Sequence, residues 1–104
     1  MTVLEVNAGV CGFVTTIKVE SKEKYKANVT LETGCPNLKK VNEVLKEGPL
    51  DVMVELFTKG QSKVLTTCGK TLPHVSCPVP AAILKAVEVD AGLALAADPT
   101  FKFK

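Results

Sequence analysis

Cysteine thiolates are soft metal ligands and strong nucleophiles, and this chain carries four cysteines, Cys11, Cys35, Cys68 and Cys77, with its single histidine at His74. Two of them share a local setting. Cys35-Pro36 and Cys77-Pro78 each place a proline directly before a helical pattern. Proline is tolerated in the first turn of a helix because the N–H it lacks would be unpaired there. The preceding cysteine is then a cap or near-cap residue, where free N–H groups and the positive end of the helix dipole favour a thiolate, at Cys77 above all. A third cysteine sits in Gly9-Val10-Cys11-Gly12. Glycines at Gly9 and Gly12 permit the positive-φ backbone that a turn of amides around a ligand needs, although a plain hairpin loop would look the same.

Three chemistries compete for these residues. A disulfide framework needs an oxidising compartment, and no charged-then-apolar N-terminus signals export. A metal centre uses the whole set. Structural zinc usually announces itself by cysteine pairs two to four residues apart, which are missing here, whereas a Cys-Pro step follows cluster ligands in bacterial ferredoxins. The close cysteine run of those ferredoxins is missing too. The expectation is an iron–sulfur cluster, of the [4Fe–4S] type, on Cys11, Cys35, Cys68 and Cys77, with Gly9, Gly12 and His74 beside it and zinc as the alternative. Such a site implies a redox or cluster-accepting protein as partner. The third chemistry is a cysteine enzyme with Cys77 as nucleophile and His74 as base, which also needs a group to orient the base. Against all three stand plainer readings: free cysteine is often a small buried hydrophobe, and a lone loop histidine is usually a surface or packing residue.

Composition removes several other functions. At 104 residues the chain is one domain with room for a core. All thirteen basic residues are lysines and the net charge is only +2, so the arginine fork that reads phosphate and guanine is absent and no basic stripe forms. Nucleic-acid binding is not expected. Although 46% of residues are apolar, no run approaches the roughly 18 residues of a membrane span, so a cytoplasmic protein is the expectation. No phosphate loop, Rossmann glycine pattern or paired carboxylates offer another chemistry.

The elements that must position the cysteines follow from periodicity. Leu4, Val6 and Ala8 alternate with Val3, Glu5 and Asn7, and Phe13, Thr15, Ile17 and Val19 alternate with Val14, Thr16, Lys18 and Glu20. After a polar stretch at Ser21 to Lys24, Tyr25, Ala27, Val29 and Leu31 continue the alternation. A turn centred there pairs residues whose numbers sum to about 45, which sets Cys11 opposite Gly34 and beside Cys35. Leu38, Val41 and Leu45 then mark a helix from Pro36, ended by Gly48-Pro49. Leu50 to Phe57 fits either period and is read as a helix opened by Pro49. Ser62 caps a short helix through Lys70 that turns Cys68 indoors, and an amphipathic helix runs from about Val79 to Gly92. Phe101 and Phe103 alternate with Lys102 and Lys104 as a lysine-protected edge strand. The fold class expected is α+β: an antiparallel β-meander with a C-terminal edge strand, and helices packed on one face.

The segments Asn7-Ala8-Gly9-Val10-Cys11-Gly12-Phe13, Gly34-Cys35-Pro36 and His74-Val75-Ser76-Cys77-Pro78-Val79-Pro80, with Ile83 to Val89 and Gly92 to Leu95, carry a further likeness. The chain resembles a small family of prokaryotic proteins of unknown function found in methanogens and other anaerobes. The likeness covers almost the whole chain. It implies an anaerobic setting and carries no mechanism with it.

Overall fold

A computed structural model describes all 104 residues. The alternating segments form three strands, β1 (Thr2–Asn7), β2 (Val14–Glu23) and β3 (Lys26–Thr33). After them come helix α1 (Pro36–Leu45), a two-residue strand β4 (Leu50–Asp51), and helices α2 (Val52–Phe57), α3 (Lys63–Thr71) and α4 (Val79–Asp90). The sheet runs β1-β2-β3-β4, and every neighbouring pair is antiparallel. This is the α+β meander expected.

One face of the sheet is apolar, and the helices cover it. Ile17, Val19, Ala27, Val29 and Leu31 form a single buried cluster with Leu38, Val41 and Leu45 of α1, Val64 and Cys68 of α3, and Val79, Ile83, Ala86 and Val87 of α4. Helix α4 lies over β1 and β2, and α1 over β3. The opposite face stays open, with Val3, Glu5, Asn7, Asn28, Thr30 and Glu32 exposed and Lys18 paired to Glu32 across the strands. Apolar area removed from water on the covered side only is the term that makes the two faces unlike.

Three expectations need correction. The hairpin pairs Ile17 with Leu31 and Val19 with Val29, so partner numbers sum to 48 rather than 45. The polar run is not the turn: β2 continues through it to Glu23 past an irregularity, and Tyr25 takes φ 60 in the turn beyond. Leu50 to Phe57 is not one helix. Leu50 is buried and pairs with Ala27 in β4, while the Asp51 side chain accepts the N–H groups of Met53 (3.1 Å) and Val54 (3.2 Å) and so starts α2 one residue later. The Val54 N–H is the main cause holding the Asp51 carboxyl below its ordinary pKa, and the Lys26 charge adds to it. Finally, residues 93–104 form no strand. Phe101 and Phe103 have the right alternation, but no backbone hydrogen bond joins this segment to the sheet, although the outer edge of β1 is free.

Candidate cysteine cleft

The strand and helix ends that meet at one pole of the sheet build a cleft of about 440 Å³. Cys11 comes from the β1–β2 loop, Cys35 from the β3–α1 junction and Cys77 from the α3–α4 loop, and all three line it. His74 lines it as well. The remaining wall is mainly apolar, with Phe13, Leu72 and Pro73 among its residues.

The β1–β2 loop is held by its own backbone. Asn7 Oδ1 accepts the Gly9 N–H (3.0 Å), the Gly9 carbonyl accepts the Gly12 N–H (2.9 Å), and the Phe13 carbonyl accepts the Ala8 N–H (3.1 Å). Gly9 and Gly12 sit at φ 84 and φ 75, where a side chain would be strained although space for a Cβ is open. Both therefore shape the loop with their amides already in use, and neither lines the cleft. The N–H groups of Val10 and Cys11, between them, have no partner within the chain. Cys11 is exposed at the loop's tip.

Cys35 is the N-cap of α1, with Pro36 as the first helical residue. Its N–H goes to Thr33 Oγ1 (3.1 Å), its carbonyl accepts the Lys39 N–H (3.0 Å), and its side chain is half-buried against the core. Next to it, a Cβ on Gly34 would stand 3.3 Å from the Phe13 ring. Cys77 stands one residue before the N-cap of α4, which is Pro78, and is held by its N–H to the His74 carbonyl (3.4 Å). The His74 imidazole makes no hydrogen bond. A thiol enzyme's base would need such an orienting partner.

Cys68 does not line the cleft. It faces the core from α3 at 4% exposure and lines an adjoining pocket of about 190 Å³ that shares Leu72 and His74 with the cleft. Burial, with a smaller contribution from the Cys77 charge, pushes its thiol up to about 11 from an ordinary 9.0. Because the folded pKa is raised, the stabilisation is present below pH 9 and is lost as pH climbs toward 11, where the unfolded chain has already released this proton. Thermal unfolding between pH 8 and pH 10.5 should show a loss approaching about 2 kcal/mol that Cys68→Ala removes.

No three His, Cys, Asp or Glu side chains stand close enough to hold a single metal ion. The thiols instead line a space. Three of these donors come from three independent segments and face one open cleft. Sequence reasoning found the cysteines and His74 but not Phe13, which lines the cleft and comes close to Gly34. The Phe-after-glycine and Gly-Cys-Pro steps were the available signal.

The family model for a family of unknown function (DUF6951) matches residues 2–103. The chain belongs to that family. The match spans β1 to the segment after α4, so all four cysteines and His74 fall within it. No curated protein and no solved structure matches the chain. No helix is long and apolar enough to cross a membrane.

Proposed function

We infer that this chain binds an iron–sulfur cluster, of the [4Fe–4S] type, through Cys11, Cys35 and Cys77, with His74 at the fourth position. The observation that carries the reading is the meeting of three thiols from three separate segments at one cleft. Cys68 stays outside the ligand set because its thiol is buried, protonated at neutral pH and turned to the adjoining pocket. Bound there, a cluster supplies one-electron chemistry. The chain's own residues would hold its negative charge: the unpaired N–H groups of Val10 and Cys11, and the first turns of α1 and α4 behind Cys35 and Cys77. Phe13, Leu72 and Pro73 give the cleft an apolar wall. The role is electron transfer or cluster handling in the cytoplasm, with a redox or cluster-accepting protein as partner.

Zinc is the weaker reading. Tetrahedral Zn–S bonds of about 2.3 Å bring sulfurs to within roughly 4 Å of one another, and these side chains are not so grouped. Anaerobic purification followed by visible absorption and metal analysis separates the cases. A cluster gives broad absorbance near about 400 nm with iron and sulfide. Colourless protein with stoichiometric zinc would replace it by a structural site. Metal-free protein in which Cys77 alone alkylates rapidly at neutral pH would replace it by a thiol enzyme, since only a depressed thiol pKa sets one cysteine ahead of the rest.

A further inference from the structure

The two edges of the sheet are treated differently. On the β3 side, β4 pairs with Lys26 and Ala27, the Val52 N–H continues the ladder to the Tyr25 carbonyl (3.0 Å), and Asn42 Oδ1 of α1 accepts the Leu31 N–H (2.9 Å). That edge is closed. On the other side, β1 pairs only with β2, and no backbone group elsewhere in the chain hydrogen-bonds to residues 2–7. Alternate N–H and C=O groups of a six-residue strand therefore point outward unpaired, the condition that invites another strand.

The same chain carries a strand-patterned segment with nothing to pair with. Phe101 and Phe103 are 89% and 103% exposed, and Lys102 and Lys104 alternate with them. Phenylalanines so exposed at period two are an unburied apolar face. The edge fits it on both faces. Toward the helices β1 presents Leu4 and Val6, only half-buried at the margin of the core, and toward the open face it presents Val3, Glu5 and Asn7. A strand with Phe101 and Phe103 beside Leu4 and Val6 extends the core, and its lysines then lie on the side of Glu5.

We propose that residues 100–104 pair with the β1 edge of a second copy of this chain, and that the exchange is reciprocal, giving a twofold dimer. A self-complementary pair of edge and segment closes on itself, so no edge is left for a third copy. Burying four phenylalanines at about 150 Å² or more each gives roughly 600 Å² before the surfaces they cover are counted, which brings the total to about the 1,000 Å² of a specific interface. The dimer is independent of the cysteine cleft, which lies at the pole where β1 ends and β2 begins.

Sedimentation of the full chain across a concentration series tests this, with circular dichroism to verify the fold. The wild type is expected to dimerise, and Phe101→Ser with Phe103→Ser to be a folded monomer. Glu5→Lys should weaken dimerisation about tenfold, through two like-charge contacts per dimer, and adding Lys102→Glu with Lys104→Glu should restore it. A wild type that stays monomeric at all concentrations overturns the proposal, whether the phenylalanines are then exposed or folded back onto their own β1. A dimer that survives the double serine variant overturns it as well.

Discussion

Cys35→Ser and Cys77→Ser are each expected to abolish the absorbance of the anaerobically reconstituted protein near about 400 nm and to cut bound iron at least tenfold, whereas Cys68→Ala keeps both. The contrast follows from place. Cys35 and Cys77 are the two cleft thiols whose backbone is held, one as the cap of α1 and the other by the His74 carbonyl. Serine matches the shape but offers a hard, weakly acidic oxygen in place of a soft thiolate. Cys11 rides an exposed loop tip, and its serine variant is expected to lose iron more slowly than the other two. Loss of the cluster in Cys68→Ala with the other variants unaffected would move the ligand set into the adjoining pocket.

The largest effect on stability is expected at Glu55. Its carboxyl group is buried and accepts three hydrogen bonds at the start of α3: from Ser62 Oγ (2.8 Å), the Lys63 N–H (2.8 Å) and the Val64 N–H (3.0 Å). Ser62 in turn accepts the Leu65 N–H at 3.1 Å. Glu55→Ala strips the partner from a buried hydroxyl, a buried N–H and a part-buried N–H, at about 3 kcal/mol. For a domain of this size that lowers the unfolding midpoint by on the order of 15 °C. Glu55→Gln keeps one acceptor oxygen and should lose about half as much. Amide hydrogen exchange at Lys63 and Val64 would rise first. Unchanged melting in Glu55→Ala would mean that Ser62 alone caps the helix.

The strands and helices were legible because their apolar residues keep strict periods. Val3 to Ala8 and Thr15 to Val19 could only be half-buried strands, and the proline steps located α1 and α4 to within a residue or two. The hairpin register was also available. Residues opposite each other in an antiparallel pair face the same side, and the apolar positions of both strands are odd-numbered, so their sum must be even. A turn placed by polarity gave an odd number, whereas alternation alone would have excluded it. What local pattern could not supply was the fate of short apolar runs. Leu50 joined the sheet because Ala27 and the core needed covering there, and Phe101 to Lys104 stayed out although its pattern is as strand-like as that of β1. Both outcomes depend on tertiary neighbours rather than on propensity.

For the site, the hairpin placed Cys11 at the same end of the sheet as Cys35 and the second proline step placed Cys77 at a helix start, and three of the four cysteines do line one cleft with His74 although the register is three units out. The reason is geometric: the ends of β1, β2 and β3 near Asn7, Val14 and Thr33 lie at one pole whichever way the hairpin slips by a few residues. The separation of Cys68 was less visible. Ser62 marks the start of its helix, but whether an inward thiol reaches the cleft or stops behind Leu72 depends on the packing of α3 against α1 and α4.

Native mass spectrometry of the anaerobically reconstituted chain, with thiol alkylation run on the same sample, tests the central claim most directly. The account predicts a chain carrying iron and inorganic sulfide in which Cys11, Cys35 and Cys77 are shielded together and become reactive together when the iron is chelated. A chain of bare mass under those conditions, with these three cysteines alkylating independently of added iron and sulfide, would contradict it.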